Sequence, residues 1–179
     1  PLTIYENTTD SSVITLDTMH LLVRYHPDSL LVVQILVFNN SSDRVYVSSE
    51  PVSGGRRGSV HFRLPAEAFN IQFEEGELGG RFIRVGDEIH DTAQVLPGAG
   101  AHAIVVTYLL PYDGTAEMSF LLPYDTRRVT LLAQEGGRIR TSLLNEAGVE
   151  MIEGATYDKY VGADLPTGET LVIALRGAP

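Results

Sequence analysis

The sequence predicts an all-β fold, a β-sandwich that carries an additional C-terminal β unit. Three observations point to it: short apolar runs, polar residues at every second position within most of them, and turn-forming residues between them. Alternation with a period of two is typical of a strand that buries one face. Turn residues recur roughly every eight to twelve residues, which is the spacing expected of a sandwich or barrel.

The alternating strands are clearest where aromatic and aliphatic residues occupy every second position. In Ser59–Leu64 the apolar side chains of Val60, Phe62 and Leu64 share one predicted face. Because successive side chains of a strand point to opposite faces, this face is the buried one. The same pattern predicts strands at 69–73, 116–120, 139–143 and 171–175.

Two further apolar runs lack this alternation, Leu30–Phe38 and Ala103–Leu110. Both are rich in Val, Ile and Leu, and turn residues flank them. We predict that they are central strands, covered on both faces or nearly so. A buried helix is the alternative, which the β-branched content disfavours.

Glycine and proline residues separate the predicted strands. Asp113-Gly114 lies between two strand-like runs and predicts a hairpin. The glycine-rich, basic segment Gly54–Gly58 predicts an exposed hairpin tip, and a contact with an acidic partner is the alternative. Pro65–Ala68 predicts at most one helical turn.

A domain boundary is predicted near Pro123–Thr126. It separates a β-sandwich domain at 1–123 from a smaller β unit at 124–179 that packs on it. The second part has no long core strand of its own and is small for independent stability. One continuous domain is the alternative.

Composition and charge exclude several classes of partner. The 179 residues include 23 acidic and 13 basic side chains, so the formal net charge is −10. Such a chain repels phosphate backbones, and nucleic acid is therefore not a predicted partner. The longest apolar run is far below the roughly 20 residues of a membrane-spanning helix, so no direct membrane insertion is predicted within these residues. The chain begins at Pro1 and not at methionine, which leaves open whether a signal peptide or an anchor lies outside these residues.

No pattern of catalytic or metal-binding residues stands out, so no catalytic residue, metal site or cofactor is predicted. There is no Gly-x-Ser-x-Gly segment and no cysteine. No two of the five histidines have the spacing of a helical zinc motif. The acidic residues Glu74, Glu75 and Glu77 are of the type that binds calcium, but the calcium-loop pattern is missing, and a solvated acidic turn is the preferred interpretation.

A tyrosine-rich surface is the predicted binding site. Leu109–Asp113 and Leu121–Asp125 share the order Leu-Leu-Pro-Tyr-Asp, and each follows a predicted strand. Tyrosine is a frequent anchor of protein interfaces. The candidate binding residues are Tyr108, Tyr112, Asp113 and Tyr124. The alternative is that these tyrosines are half-buried at sheet edges.

The sequence from about residue 30 to 175 also resembles a known group of proteins. The residues that carry the likeness are mainly turn and strand-end segments: Asn39–Ser42, Phe62–Pro65, Val95–Gly98, Tyr108–Tyr112, Leu165–Gly168 and Leu171–Leu175. They resemble the extracytoplasmic β-sandwich regions of uncharacterised, membrane-anchored bacterial envelope proteins, which look like carboxypeptidase-regulatory or fibronectin type III modules. The resemblance implies an immunoglobulin-like β-sandwich in the cell envelope.

These observations together predict a non-catalytic, extracytoplasmic module that binds a protein partner or associates with itself. Exposed edge strands would give such a module a route to strand-addition contacts. A carbohydrate-binding module is one alternative, which the absence of tryptophan disfavours. An enzyme with a carboxylate or metal site distributed over distant strands is the other.

Overall fold

The computed structural model describes residues 3–177. Apart from a short 3₁₀ helix at Ser11–Val13, its regular elements are strands. They are β1 (Asn7–Thr8), β2 (Ile14–His26), β3 (Ser29–Asn40), β4 (Val45–Tyr46), β5 (Pro51–Ser53), β6 (Arg56–Arg57), β7 (His61–Arg63), β8 (Phe69–Phe73), β9 (Phe82–Val85), β10 (Glu88–Asp91), β11 (Gly98–Pro111), β12 (Thr115–Leu121), β13 (Thr126–Gln134), β14 (Arg138–Thr141), β15 (Asn145–Ile152), β16 (Ala155–Leu165) and β17 (Thr170–Arg176). Within this part of the chain there is no helix long and apolar enough to cross a membrane.

One large sheet organises the molecule. It contains seven strands in the order β15-β16-β13-β2-β3-β11-β8. Strands β13 and β2 are parallel to each other, and all other neighbouring strands of this sheet are antiparallel. Strands β2 and β3 form a long hairpin whose turn places Asp28 at a φ of 56°. The left-handed backbone region is one that Asp tolerates better than most residues.

A second layer covers one face of this sheet. It consists mainly of two three-stranded sheets, β12-β17-β14 and β7-β10-β9. Their apolar side chains, such as Phe62, Phe120 and Ile173, belong to the same core cluster as Leu36 and Phe38 of the large sheet. The prediction of an all-β sandwich is confirmed.

The two non-alternating runs do form long strands of the large sheet, as predicted. Their burial differs from the prediction, however, because buried and half-buried residues alternate along β3 and along residues 104–110 of β11. Within residues 3–177 the second layer covers only the inner face of the large sheet. The outer face is half-buried by contacts between neighbouring side chains.

The predicted hairpin at Asp113-Gly114 is wrong. Strand β11 pairs with β3 and β8, whereas β12 pairs with β17. The turn therefore carries the chain from one sheet to the other. The predicted hairpin tip at Gly54–Gly58 is confirmed, because β5 and β6 pair across Gly54 and Gly55.

Strands from both sides of residue 123 share sheets. Strand β13 lies beside β2 in the large sheet, and β17 lies beside β12 in the second layer. The division into a β-sandwich domain at 1–123 and a smaller β unit at 124–179 stays a prediction.

A buried ionic cluster joins the second layer to the large sheet. The Asp91 carboxylate, which is 0% exposed, accepts hydrogen bonds from Arg81 Nε and Nη2 at 2.8 and 2.7 Å and pairs with His102 Nε2 at 2.8 Å. Burial by itself would raise the pKa of Asp91, but these bonds and one from the Ala93 amide outweigh it and lower the pKa below 3.8. The carboxylate therefore stays ionised inside the protein.

Candidate binding surface

The four candidate binding residues lie in different environments. Tyr108 is 0% exposed, and its hydroxyl donates a hydrogen bond to Gln34 Oε1 at 3.1 Å. Tyr112 is half-buried, and its ring lies 5.7 Å from that of Tyr25. Asp113 is exposed in the turn that leads to β12. Burial thus keeps the Tyr108 side chain away from the molecular surface.

Tyr124 lies near the opposite end of β3 from Tyr112. Its ring packs edge-on against Phe38 at 5.7 Å, whereas the Tyr112 amide bonds to Asp28 at the other end of the strand. Asp28 and Phe38 are ten residues apart, so at about 3.3 Å per residue the two contact points are roughly 33 Å apart. The structure keeps Tyr112 and Asp113 together as chain neighbours and separates both from Tyr124. A binding role for these residues stays a prediction.

Tyr124 instead belongs to a polar cleft with two histidines. His61 and His90 are a cross-strand pair of β7 and β10, and their rings stack at 5.2 Å. The Tyr124 hydroxyl lies 3.1 Å from His61 Nδ1, and Glu88 Oε2 lies 3.1 Å from His90 Nε2. Burial lowers the pKa of His61, against the opposing effect of Glu88. This pairing could not be read from the sequence, because it depends on the register between two strands.

The cleft beside this cluster has a volume of about 550 Å³. Hydroxyl groups dominate its lining, including those of Ser48, Ser49 and Ser59. Within residues 3–177 no group of three His, Asp or Glu side chains is arranged to hold a metal ion. The Asp125 carboxylate and the two histidines also line the cleft.

The uncovered side of the large sheet presents an apolar surface. We call it the outer apolar face and define it by half-buried aliphatic side chains of four neighbouring strands: Leu22, Leu31, Val33, Ile35, Val37, Val105, Leu109 and Leu132. These residues lie outside the core cluster. Their number is unusual for a sheet face that meets solvent, which is normally polar.

The strand register brings these side chains into continuous rows. Leu22 lies opposite Val33 on one side and Leu132 on the other, and Ile35 lies opposite Val105. From a strand spacing of about 4.8 Å and a rise of about 3.3 Å per residue, the surface measures roughly 20 Å by 20 Å. A patch of this size is at the scale of functional apolar surfaces on monomers.

A charged strip borders the outer apolar face on β2, β13 and β16. Arg24 lies 3.5 Å from Glu153, and the Lys159 ammonium lies 3.0 Å from Glu150. His20 stands between the strip and the aliphatic rows. Loss of hydration lowers the pKa of His20, and the nearby Arg128 and Lys159 lower it further. His20 is therefore neutral at pH 7.

Sequence reasoning did not propose this surface as a site. The apolar runs Leu30–Phe38 and Ala103–Leu110 did indicate apolar side chains on both faces of their strands, and we therefore predicted that both faces are covered. What the sequence could not show is that the chain itself covers only one of them.

Comparisons with known proteins give limited guidance. No protein-family model and no curated protein matches this sequence. Among solved structures, the chain is similar to a two-domain M1 zinc metallopeptidase variant bound to L-tryptophan, with a TM-score of 0.48 and 10% identity over 90% of this chain and 42% of that one. It is similar to an M1 zinc metallopeptidase from Deinococcus radiodurans with a TM-score of 0.46, 10% identity and the same coverage. The chain thus spans less than half the length of these proteins.

Proposed function

We propose that this protein is a non-catalytic binding module that makes protein–protein contacts through the outer apolar face. One observation carries the proposal: four adjacent strands present aliphatic side chains on a face that nothing within residues 3–177 covers. Exposed apolar surface of this kind costs free energy in water, and a partner surface that covers it removes the cost.

The size of the face indicates what a partner must do. A footprint of about 400 Å² is an upper limit on the apolar surface that a partner could cover here, worth at most roughly 10 kcal/mol, and association itself costs roughly 4–15 kcal/mol. A stable interface usually buries about 800 Å² on each side. A partner must therefore also cover part of the charged strip, where Arg128 has no ion pair within the described residues. We propose a protein partner with an apolar centre and a polar rim that faces this strip.

Photo-crosslinking in the source cells tests the proposal. A benzoylphenylalanine at position 35, in the centre of the outer apolar face, should give a specific protein adduct. The same group at position 163 is the matched control, because Ala163 is exposed on β16 outside the face. No adduct at position 35, together with a strict monomer by light scattering, would reject the proposal. An adduct with a second copy of this chain would make the contact a self-association.

We also propose that the module works outside the cytoplasm, in the cell envelope. The proposal depends on the resemblance of its turn and strand-end segments to envelope β-sandwich regions. Fractionation of cells that express the full-length gene tests it, and recovery of the protein only with cytoplasmic markers would reject it.

Carbohydrate binding is the second candidate, favoured by the hydroxyl-lined cleft beside His61 and Tyr124. Tyr46 and Tyr124 are buried in its wall, so they offer little flat aromatic surface for stacking on a sugar. A glycan array with the wild-type protein tests this candidate. Binding that Ser49→Trp abolishes by filling the cleft would support it, and an array without hits would reject it.

A further inference from the structure

Strand β12 is an open edge of the second layer. It is the outermost strand of the sheet β12-β17-β14, and its seven residues pair with β17 without a shift in register. The edges of the large sheet differ, because both β8 and β15 contain a register shift. Bulges of this kind normally protect an edge from further pairing. Strand β12 lacks that protection.

The hydrogen bonds at its two ends show which backbone groups are free. The Leu122 amide donates to the Glu169 carbonyl and the Gly177 amide donates to the Gly114 carbonyl, both at 2.9 Å. In an antiparallel pair, alternate residues bond to the same neighbour. The even-numbered residues of β12 therefore bond to β17, and the amides and carbonyls of Thr115, Glu117 and Ser119 point to the open side.

Thr115, Glu117 and Ser119 line a groove of about 480 Å³. Its lining also includes the turn Pro65–Glu67, Leu110 and Pro111 of the large sheet, and residues 174–176 of β17. Strand β7 lies beside β12, and the turn at Pro65 begins two residues after β7 ends. Proline cannot donate a ladder hydrogen bond, so Pro65 ends the approach of the two strands.

We infer that this groove takes an extended peptide segment of a partner protein, which adds as a strand to β12. The spacing from Thr115 to Ser119 is about 13 Å, enough to pair with roughly five residues. Main-chain bonds to Thr115, Glu117 and Ser119 supply binding that is independent of the peptide sequence, as in other strand-addition complexes.

The walls of the groove specify the chemistry of the peptide. Side chains that point inward meet Ala116, Leu110 and the Pro65 ring, so small apolar residues suit these positions. Side chains that point outward meet Glu117, and Glu67 lies across the groove. Although Arg176 lies at one end, the two carboxylates outnumber it. The segment should therefore alternate small apolar residues with basic ones.

This surface is separate from the outer apolar face, because β12 belongs to the opposite layer of the sandwich. The two surfaces can bind independently, and either proposal can fail without the other. Substitutions at β12 leave the residues at positions 33 and 35 untouched.

A displayed library of heptapeptides, with apolar residues fixed at alternate positions, tests the inference. Selected peptides should bind the wild-type protein and carry Lys or Arg at the variable positions. Ser119→Pro removes one amide that faces the groove without removing a bond to β17, and should weaken binding at least tenfold. The matched control is Thr141→Pro on β14, at the opposite edge of the same sheet, which should leave the affinity unchanged.

Two further results decide the outcome. Glu117→Lys should shift the selection from basic to acidic peptides. Amide chemical-shift changes in the wild-type protein should be confined to β12, β7 and the turn at Pro65–Glu67. Failure to enrich any peptide, or equal binding by Ser119→Pro and wild type, would overturn the inference.

Discussion

The two faces of the large sheet are built from the same strands but differ in what covers them. Along β3, the inward side chains include Leu36 and Phe38, which are 1% exposed, and also the amide of Gln34. The outward side chains from Leu31 to Val37 are all aliphatic, yet they are only half-buried. Along β3 the uncovered side is thus the more uniformly apolar of the two.

On this strand, therefore, the more hydrophobic side is not the more deeply buried one. The inner face tolerates polar groups because each finds a partner, such as Gln34 with the Tyr108 hydroxyl at 3.1 Å. On the outer side of β3, the side chains of Leu31, Val33, Ile35 and Val37 offer no polar group to water, although a charged strip borders them. Such a face is expected when its cover comes from another molecule.

The largest expected effect concerns the ionic cluster beneath the inner face. Asp91→Ala leaves Arg81 and His102 without their shared carboxylate and should lower the free energy of unfolding by about 3–5 kcal/mol. Urea unfolding at pH 7 measures it. The control is Glu88→Ala, which removes a partly exposed carboxylate of the same strand and should cost below about 1 kcal/mol.

The difference in stability between the wild type and Asp91→Ala should shrink at acidic pH. The pKa of Asp91 is lower in the folded state than in the unfolded state, so its contribution is complete above about pH 4 and is lost as the pH falls through the folded value. Wild type and Asp91→Ala should therefore converge in stability towards pH 2. A gap between them that stays constant with pH would contradict the role given to the charge.

Adjacent residues of β3 provide the direct test of the two faces. Leu36→Ala opens a cavity in the core and should cost about 2–5 kcal/mol. Ile35→Ala removes a similar side chain from the outer face and should cost roughly half of that or less, because its environment is already partly water. Equal losses in urea unfolding would mean that the outer face is also covered within the chain.

The smallest expected effect comes from His20 at the border of the outer apolar face. Its folded pKa lies below the ordinary 6.5, so the unfolded chain takes up its proton first as the pH falls. Stability should be highest above pH 6.5 and should decline below it. The pKa of His61 is lowered as well, so both histidines contribute in the same direction.

Single replacements separate these two contributions. Unfolding free energies at pH 7.5 and 5.5 should show a smaller decline in His20→Gln than in wild type, and His61→Gln should remove the other share. A wild-type protein that is more stable at pH 5.5 than at pH 7.5, with this gain abolished by His20→Gln, would show that folding raises the pKa of His20 rather than lowering it.

Much of the fold follows from local pattern. The alternating run around Phe62 and the apolar runs of β3 and β11 were predicted as strands, because the side-chain period of a strand is visible in a few residues. Pairing was not predictable in the same way. Asp113-Gly114 has the composition of a hairpin turn, yet β12 pairs with a strand some sixty residues further along the chain.

The candidate surfaces divide along the same line. Tyr108 and Tyr124 are of a residue type that often anchors interfaces, but both are buried in the sandwich. Part of the outer apolar face was visible in the sequence as the apolar runs Leu30–Phe38 and Ala103–Leu110. The groove beside β12 was not, because it depends on which segments of the chain lie next to that strand.

The sequence by itself determined that this protein is built of strands and that two of them are mostly apolar. Those properties are local, since backbone preference and side-chain alternation act over a few residues. Only the tertiary structure decided which strands are neighbours, which face of the large sheet the chain covers and which edge stays open. Those choices depend on contacts between residues far apart in sequence, where many pairings of similar hydrophobicity compete.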